Sequence, residues 1–168
     1  MRTVDALIME LEREAETTRR LLNRLPDDKL AWKPHEKSMT LGQLAIHVAT
    51  IPGAVASVLS ADTYGASIPP ASVPAGSRAQ IVEAFEKSLA DAKAALAAFD
   101  DAALARVWGV KRGDQPLMAM PRGAAIRFVL LNHAIHHRGQ LSVYLRLLGT
   151  PLPPMYGPSA DENPWSGQ

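Results

Sequence analysis

The segment spanning residues 121–149 constrains the fold more than any other, because it opens on a proline, closes on a glycine and keeps a helical period between them. Proline suits the first position of a helix, where a missing N–H breaks no intrahelical bond, and Gly149 followed by Pro151 is a stop signal. Ile126, Val129, Leu130, Gln140 and Tyr144 recur along one stripe. A helix of this length needs other elements to cover that stripe.

Three further helical patterns supply them. Over residues 3–25, Val4, Leu7, Ile8, Leu11, Ala15, Leu22 and Leu25 recur at helical spacing with charges between them, and Pro26 stops the run. A second helix begins near Thr40, where T-L-G-Q reads as a capping box, and its inward stripe is Leu44, His47 and Ile51. Pro52-Gly53 is expected to kink or break it, leaving backbone polar groups near His47. A third opens at Ser77 with S-R-A-Q and carries Ile81, Phe85, Leu89, Ala92, Leu96 and Phe99 up to Asp100-Asp101. Residues 63–76, rich in Pro, Gly, Ala and Ser, read as a loop or a short crossing segment. Residues 105–120, with Gly109, Gly113 and Pro116, read as a long connection with room for a short extended piece. Four helices and no clear strand pair predict an all-α four-helix bundle, with a crossover allowed by the link between helices two and three. The proline-rich tail, residues 150–168, is expected to run over the surface of this single domain, anchored by Leu152, Met155, Tyr156 and Trp165.

Composition removes several functions. The chain of 168 residues has 18 Lys plus Arg against 17 Asp plus Glu, which leaves no basic footprint for nucleic acid. It has no cysteine, so disulfides, thiolate metal sites and a cysteine nucleophile are excluded, and any metal must be held by nitrogen and oxygen. The amphipathic start and the lack of an evident apolar run of membrane-span length point to a cytoplasmic protein without a membrane partner.

The chemistry concentrates in NHAIHHRGQ, residues 132–140, which holds three of the five histidines. On a helix His133 and His137 are at i and i+4, about 40° apart around the axis with Cβ atoms about 6 Å apart, close enough to share a metal ion. A catalytic first-row metal usually takes three protein ligands and keeps a position open, and His47 is the leading third. His133 with His136 is an alternative pair, and His136 and His137 as solvated residues on a helix edge is the plainer reading. With 133/137 as the pair, His136 supports the site or faces a neighbouring helix, and Gln140 or Asn132 can orient a ligand through its second nitrogen. Tyr144 is either a donor in the same cavity or a packing residue. Arg138 and Arg127 are either guides for an anionic substrate or ordinary solvated charges.

Three stretches, LLNRLPDDKLAWKPHEKSMTLGQLAIHVA (residues 21–49), NHAIHHRGQLSVYLRLLG (132–149) and PPMYGPSADE (153–162), together resemble the DinB-like proteins, the damage-inducible family that includes YfiT-type metal-dependent hydrolases. The family is unrelated to the lesion-bypass polymerase of similar name. The resemblance implies a four-helix bundle, commonly a homodimer, with one divalent metal, often nickel or zinc, on His47, His133 and His137. It also implies transfer of a low-molecular-weight thiol such as bacillithiol, mycothiol or glutathione onto a small electrophilic substrate. Metal-dependent hydrolysis and a non-catalytic, metal-stabilised dimer that binds a ligand or partner are the alternatives.

Overall fold

The computed structural model describes residues 2–65 and 76–165. Four main helices form the body: α1 (Thr3–Leu22), α2 (Leu41–Ser60), α3 (Arg78–Ala97) and a last composite helix of α5 (Arg122–Ala125), a π-helical segment (Ile126–Asn132) and α6 (His133–Leu147). The short α4 (Asp101–Ala105) follows α3, with the Asp100 carboxylate accepting from the Ala103 N–H at its start. Both expected caps are present. Thr40 and Gln43 form a reciprocal capping box on α2, and the Ser77 hydroxyl accepts from the Gln80 N–H at the start of α3. At the other end of the chain Gly149 has φ 73°. Its N–H bonds the Arg146 carbonyl and that of Thr150 bonds the Leu145 carbonyl, a pair that closes the helix as a Schellman motif.

The apolar stripes meet as expected. Val4, Leu11, Ala15, Leu22 and Leu25 of the N-terminal region and Ile81, Phe85, Leu89, Ala92, Leu96 and Phe99 of the α3 region are buried against Leu44, Val48 and Ile51 of α2 and Ile126, Leu130, Leu141 and Leu145 of the last helix. Proline 52 does not break α2. Its missing N–H leaves the Val48 carbonyl without its helical donor, and Ser88 of α3 ties the adjoining turn: its hydroxyl accepts from the Gly53 N–H at 2.8 Å and donates to the Thr50 carbonyl at 3.1 Å. A Cβ on Gly53 would come within 3.0 Å of the Ser88 carbonyl oxygen, so glycine lets α2 and α3 approach this closely.

A three-stranded sheet corrects the all-helical expectation. β1 (Thr63–Gly65) pairs in parallel with β2 (Val107–Arg112), and β2 pairs antiparallel with β3 (Gln115–Pro121). The connection expected over 105–120 is therefore mostly a hairpin, closed by Gly113-Asp114, with Gly113 at φ 58°, the sign a type II′ turn needs at its first central position. Pro116 is tolerated because β3 is an edge strand. Pro121 ends β3 and caps the last helix rather than occupying its first turn. The sheet is joined to the helical core by Trp108, which is 1% exposed and donates its indole N–H to the Val58 carbonyl. The parallel β1–β2 pair requires a crossover between them, which takes the chain through α3 and α4. Most of the loop expected over 63–76 lies outside the described residues.

Two other expectations change. Helix α2, Leu41–Ser60, is long and apolar enough to cross a membrane by length and composition, contrary to the reading of the sequence; half of its 18-residue apolar window is buried inside the bundle. The tail is held mainly by polar ties: Arg20 donates to the Pro154 carbonyl, and Arg24 and Arg146 pair with Glu162 and Asp161. Of the expected apolar anchors Leu152 packs on the core and Met155 is partly buried, whereas Tyr156 and Trp165 remain exposed.

Candidate metal centre

His47 reaches the centre from the middle of α2, and His133 and His137 from the first turns of α6. Ring nitrogens of the three lie within 4.8 Å of one another, and all three side chains are partly buried. Ring centroids are 5.4 Å apart for His47 and His133, 4.5 Å for His47 and His137, and 4.6 Å for His133 and His137. The capping box at Thr40 fixes where α2 starts and thus the phase that turns His47 inward. The π-helical segment ends at Asn132, immediately before His133. Such wide turns are frequent at functional positions, and here the extra residue per turn resets the phase at which α6 presents His133 and His137.

Outer contacts select the nitrogen each ring of α6 presents. Gln140 places its amide oxygen 2.7 Å from His137 Nδ1, so that nitrogen carries the proton and Nε2 keeps its lone pair. His133 is hydrogen-bonded to the Val129 backbone, and because its Nε2 faces His137, that bond falls to Nδ1. The two Nε2 atoms then confront each other at 2.8 Å with lone pairs aimed at the same space. Two acceptors facing each other repel unless a cation or a shared proton lies between them.

A proton is disfavoured there. Burial, then the charges of His137 and His133, pushes His47 down to about 4. Burial likewise lowers His133, helped by His137, and lowers His137, where the Gln140 bond works in the opposite direction. The cluster is neutral at pH 7, the protonation state in which imidazole binds metal. Among the described residues no carboxylate joins it.

The remaining candidates divide. His136 is exposed, its ring 4.9 Å from that of His137, and it is not one of the converging donors. Asn132 is exposed and makes no hydrogen bond to a ring of the cluster, so the orienting role falls to Gln140. Tyr144 packs edge-on against Trp32, with ring centroids 5.8 Å apart, as a packing residue. Arg127 pairs with Glu10 of α1. Arg138 is neither solvated nor facing the histidines. It is 2% exposed and donates to the Glu14 carboxylate and carbonyl, to Thr18 Oγ1 and to the Tyr156 hydroxyl, joining α6, α1 and the tail. Its partners lie far away in sequence, so no local pattern announced them.

A groove that sequence reasoning did not find opens beside the centre. About 360 Å³ in volume, it lies between β3 and the last helix and is lined by Met118, Phe128, Val129, Asn132, His133 and His136. His133 belongs to both the groove wall and the cluster.

Comparison with known proteins gives the same architecture. Residues 1–165 match the model of the DinB family. The uncharacterized protein YrdA of Bacillus subtilis is 30% identical over 160 residues, covering 95% of this chain and 92% of that protein. A DinB-like protein from Bacillus cereus has a crystal structure similar at a TM-score of 0.72 and 24% identity, over 90% of this chain and 97% of that one. The DinB-like protein YjoA of Bacillus subtilis is similar at a TM-score of 0.67 and 21% identity, over 89% and 96%. These two structures speak to the fold.

Proposed function

The chain belongs to the DinB family, and from its converging histidines we propose that it is a metal-dependent enzyme transferring a low-molecular-weight thiol onto a small electrophile. The observation that carries this is the pair of Nε2 lone pairs facing each other at 2.8 Å beside His47. Three neutral imidazoles fit zinc or nickel, and three protein ligands leave a position for a reactant.

A divalent ion held by His47, His133 and His137 supplies Lewis acidity that favours the thiolate form of a thiol at neutral pH. The protein contributes the rest. Gln140 and the Val129 backbone hold the tautomers of His137 and His133, and burial keeps all three rings unprotonated. The transfer exchanges an S–H bond and a carbon–leaving-group bond for a carbon–sulfur bond, releasing the proton and the leaving group with its electron pair. A bound metal lowers the pKa of water as well as of a thiol, so what favours the thiol is the donor set: among the described residues no carboxylate joins the cluster to act as the general base from which hydrolysis gains.

Elemental analysis of untagged protein tests the centre. About one zinc or nickel per chain is expected in the parent and none in His47→Ala, while Gln140→Ala retains the metal with affinity reduced about 10- to 100-fold. The loaded parent should then deplete thiol in the presence of an electrophile. A parent that stays metal-free after incubation with zinc and nickel overturns the reading.

A further inference from the structure

The groove between β3 and the last helix has a chemical character that the histidine cluster does not explain. Its wall carries Met118, Phe128 and Val129, and none of its lining side chains is an acid, a lysine or an arginine. Phe128 is 58% exposed, a large apolar side chain left facing solvent. The volume falls within the roughly 300–1,000 Å³ range of small-molecule sites, which are mostly apolar with a few placed polar groups. Here Asn132 and His136 supply such groups, and His133 connects the groove to the cluster.

We propose that this groove receives the uncharged, apolar part of the electrophile, so that the second reactant is an aryl or alkyl compound rather than an anionic or sugar-like one. The inference rests on the proposed metal-dependent transfer. A ligand in van der Waals contact with His133 from the groove side is next to the ring whose Nε2 belongs to the metal set. The thiol cosubstrate does not suit the same surface. Burying its several carboxylates or hydroxyls against Met118, Phe128 and Val129 would strip more water than Asn132 and His136 can replace. The groove therefore belongs to the other reactant. Phe128 and Met118 set which electrophiles are accepted, and Phe128 contributes a ring for offset or edge-on contact with an aromatic one. A second copy of the chain is a less suitable occupant, because it would cover a wall of the metal site itself.

The test uses full-length protein loaded with Co(II), whose sulfur-to-metal charge-transfer band reports thiol binding directly. Two probes are compared: phenylmethanethiol, which joins a metal-binding sulfur to an apolar arm, and 2-mercaptoethanesulfonate, whose arm is charged. The expected result is about tenfold tighter binding of phenylmethanethiol, falling to within about threefold in Phe128→Ala and largely kept in Phe128→Leu. Equal affinities in the parent, or a preference undiminished in both Phe128→Ala and Met118→Ala, overturn the assignment of the groove while leaving the metal centre intact. Failure of the parent to give histidine-dependent cobalt bands overturns the metal reading, and the groove assignment with it. Sedimentation of the same variants provides a further check: conversion of a dimer to a monomer by Phe128→Ala, with the thiol preference unchanged, would make the groove an interface between copies instead.

Discussion

Neutral imidazole binds metal and imidazolium does not, so burial of His47, His133 and His137 prepares ligands and also stores a pH dependence. In the unfolded chain each takes a proton near pH 6.5, whereas folded His47 resists until about 4. Between these values the unfolded state binds more protons, so stability rises with pH through the window and falls as pH drops from 6.5 towards 4. The metal-free protein is therefore expected to have a steady urea midpoint from pH 8 to 7 and a falling one from about 6.5 to 4.5, above the range where ordinary carboxylates titrate. In His47→Leu, which restores an apolar residue between Leu44 and Ile51, the fall should become shallower. A midpoint in the parent that stays flat down to pH 4.5 would show that the cluster accepts protons freely. His47 was legible in the sequence because a polar residue interrupted an apolar stripe whose phase was set by the cap at Thr40. Gln140 was legible for a related reason, lying one turn beyond His137 on the same helix. Arg138 was misread because its partners, Glu14 and Tyr156, are brought to it only by tertiary packing.

Among the elements, α2 shows how the turn beside a local defect is tied by a neighbour. Pro52 withdraws one helical donor, and the Ser88 hydroxyl satisfies both Gly53 N–H and Thr50 C=O across the α2–α3 interface. In Ser88→Ala these two groups lose their partner in a tight contact where Gly53 already sits against Ser88. The expected cost is about 1–3 kcal/mol in urea unfolding, with helical content retained. A cost below a few tenths would mean that water or another group takes over. Proline-glycine in the sequence announced the defect; the tie beside it depends on a residue of another helix and carried no local sign. The hairpin was missed for a different reason. Met118 and Met120 face inward while Leu117 and Ala119 are exposed, but all four are apolar, so the alternation of a strand is invisible in the letters. Gly113-Asp114 was the available signal. The parallel pairing of β1 with β2 has no turn at all to reveal it.

At the scale of the whole molecule, two of the features that bear on the last helix are separable by experiment: Arg138 on the side facing α1 and the tail, and the metal that the histidine cluster would hold on the side facing α2. Removing Arg138 as Arg138→Met leaves the Glu14 carboxylate, 14% exposed, with the Tyr156 hydroxyl as its one remaining side-chain partner among the described residues. Destabilisation of about 3 kcal/mol and faster proteolysis of the tail are expected, since an orphaned buried charge costs more than the pair contributes. Wild-type resistance of the tail in that variant would assign its docking to Arg20, Arg24 and Arg146 instead. The metal linkage has a different expected size. The helices are already joined by a continuous apolar core, so the ion should add stability by mass action rather than create the fold. At a free concentration one hundred times the dissociation constant, the gain is about 2.7 kcal/mol, which for a chain of this size raises the melting temperature by roughly 5–10 °C. His47→Ala should abolish that rise, and stripping the metal with a chelator should leave the helical circular dichroism unchanged at 25 °C. Collapse of the helical signal on chelation would point to a structural metal, and with it to the non-catalytic alternative, because structural sites are the ones whose binding energy supplies the folding energy outright.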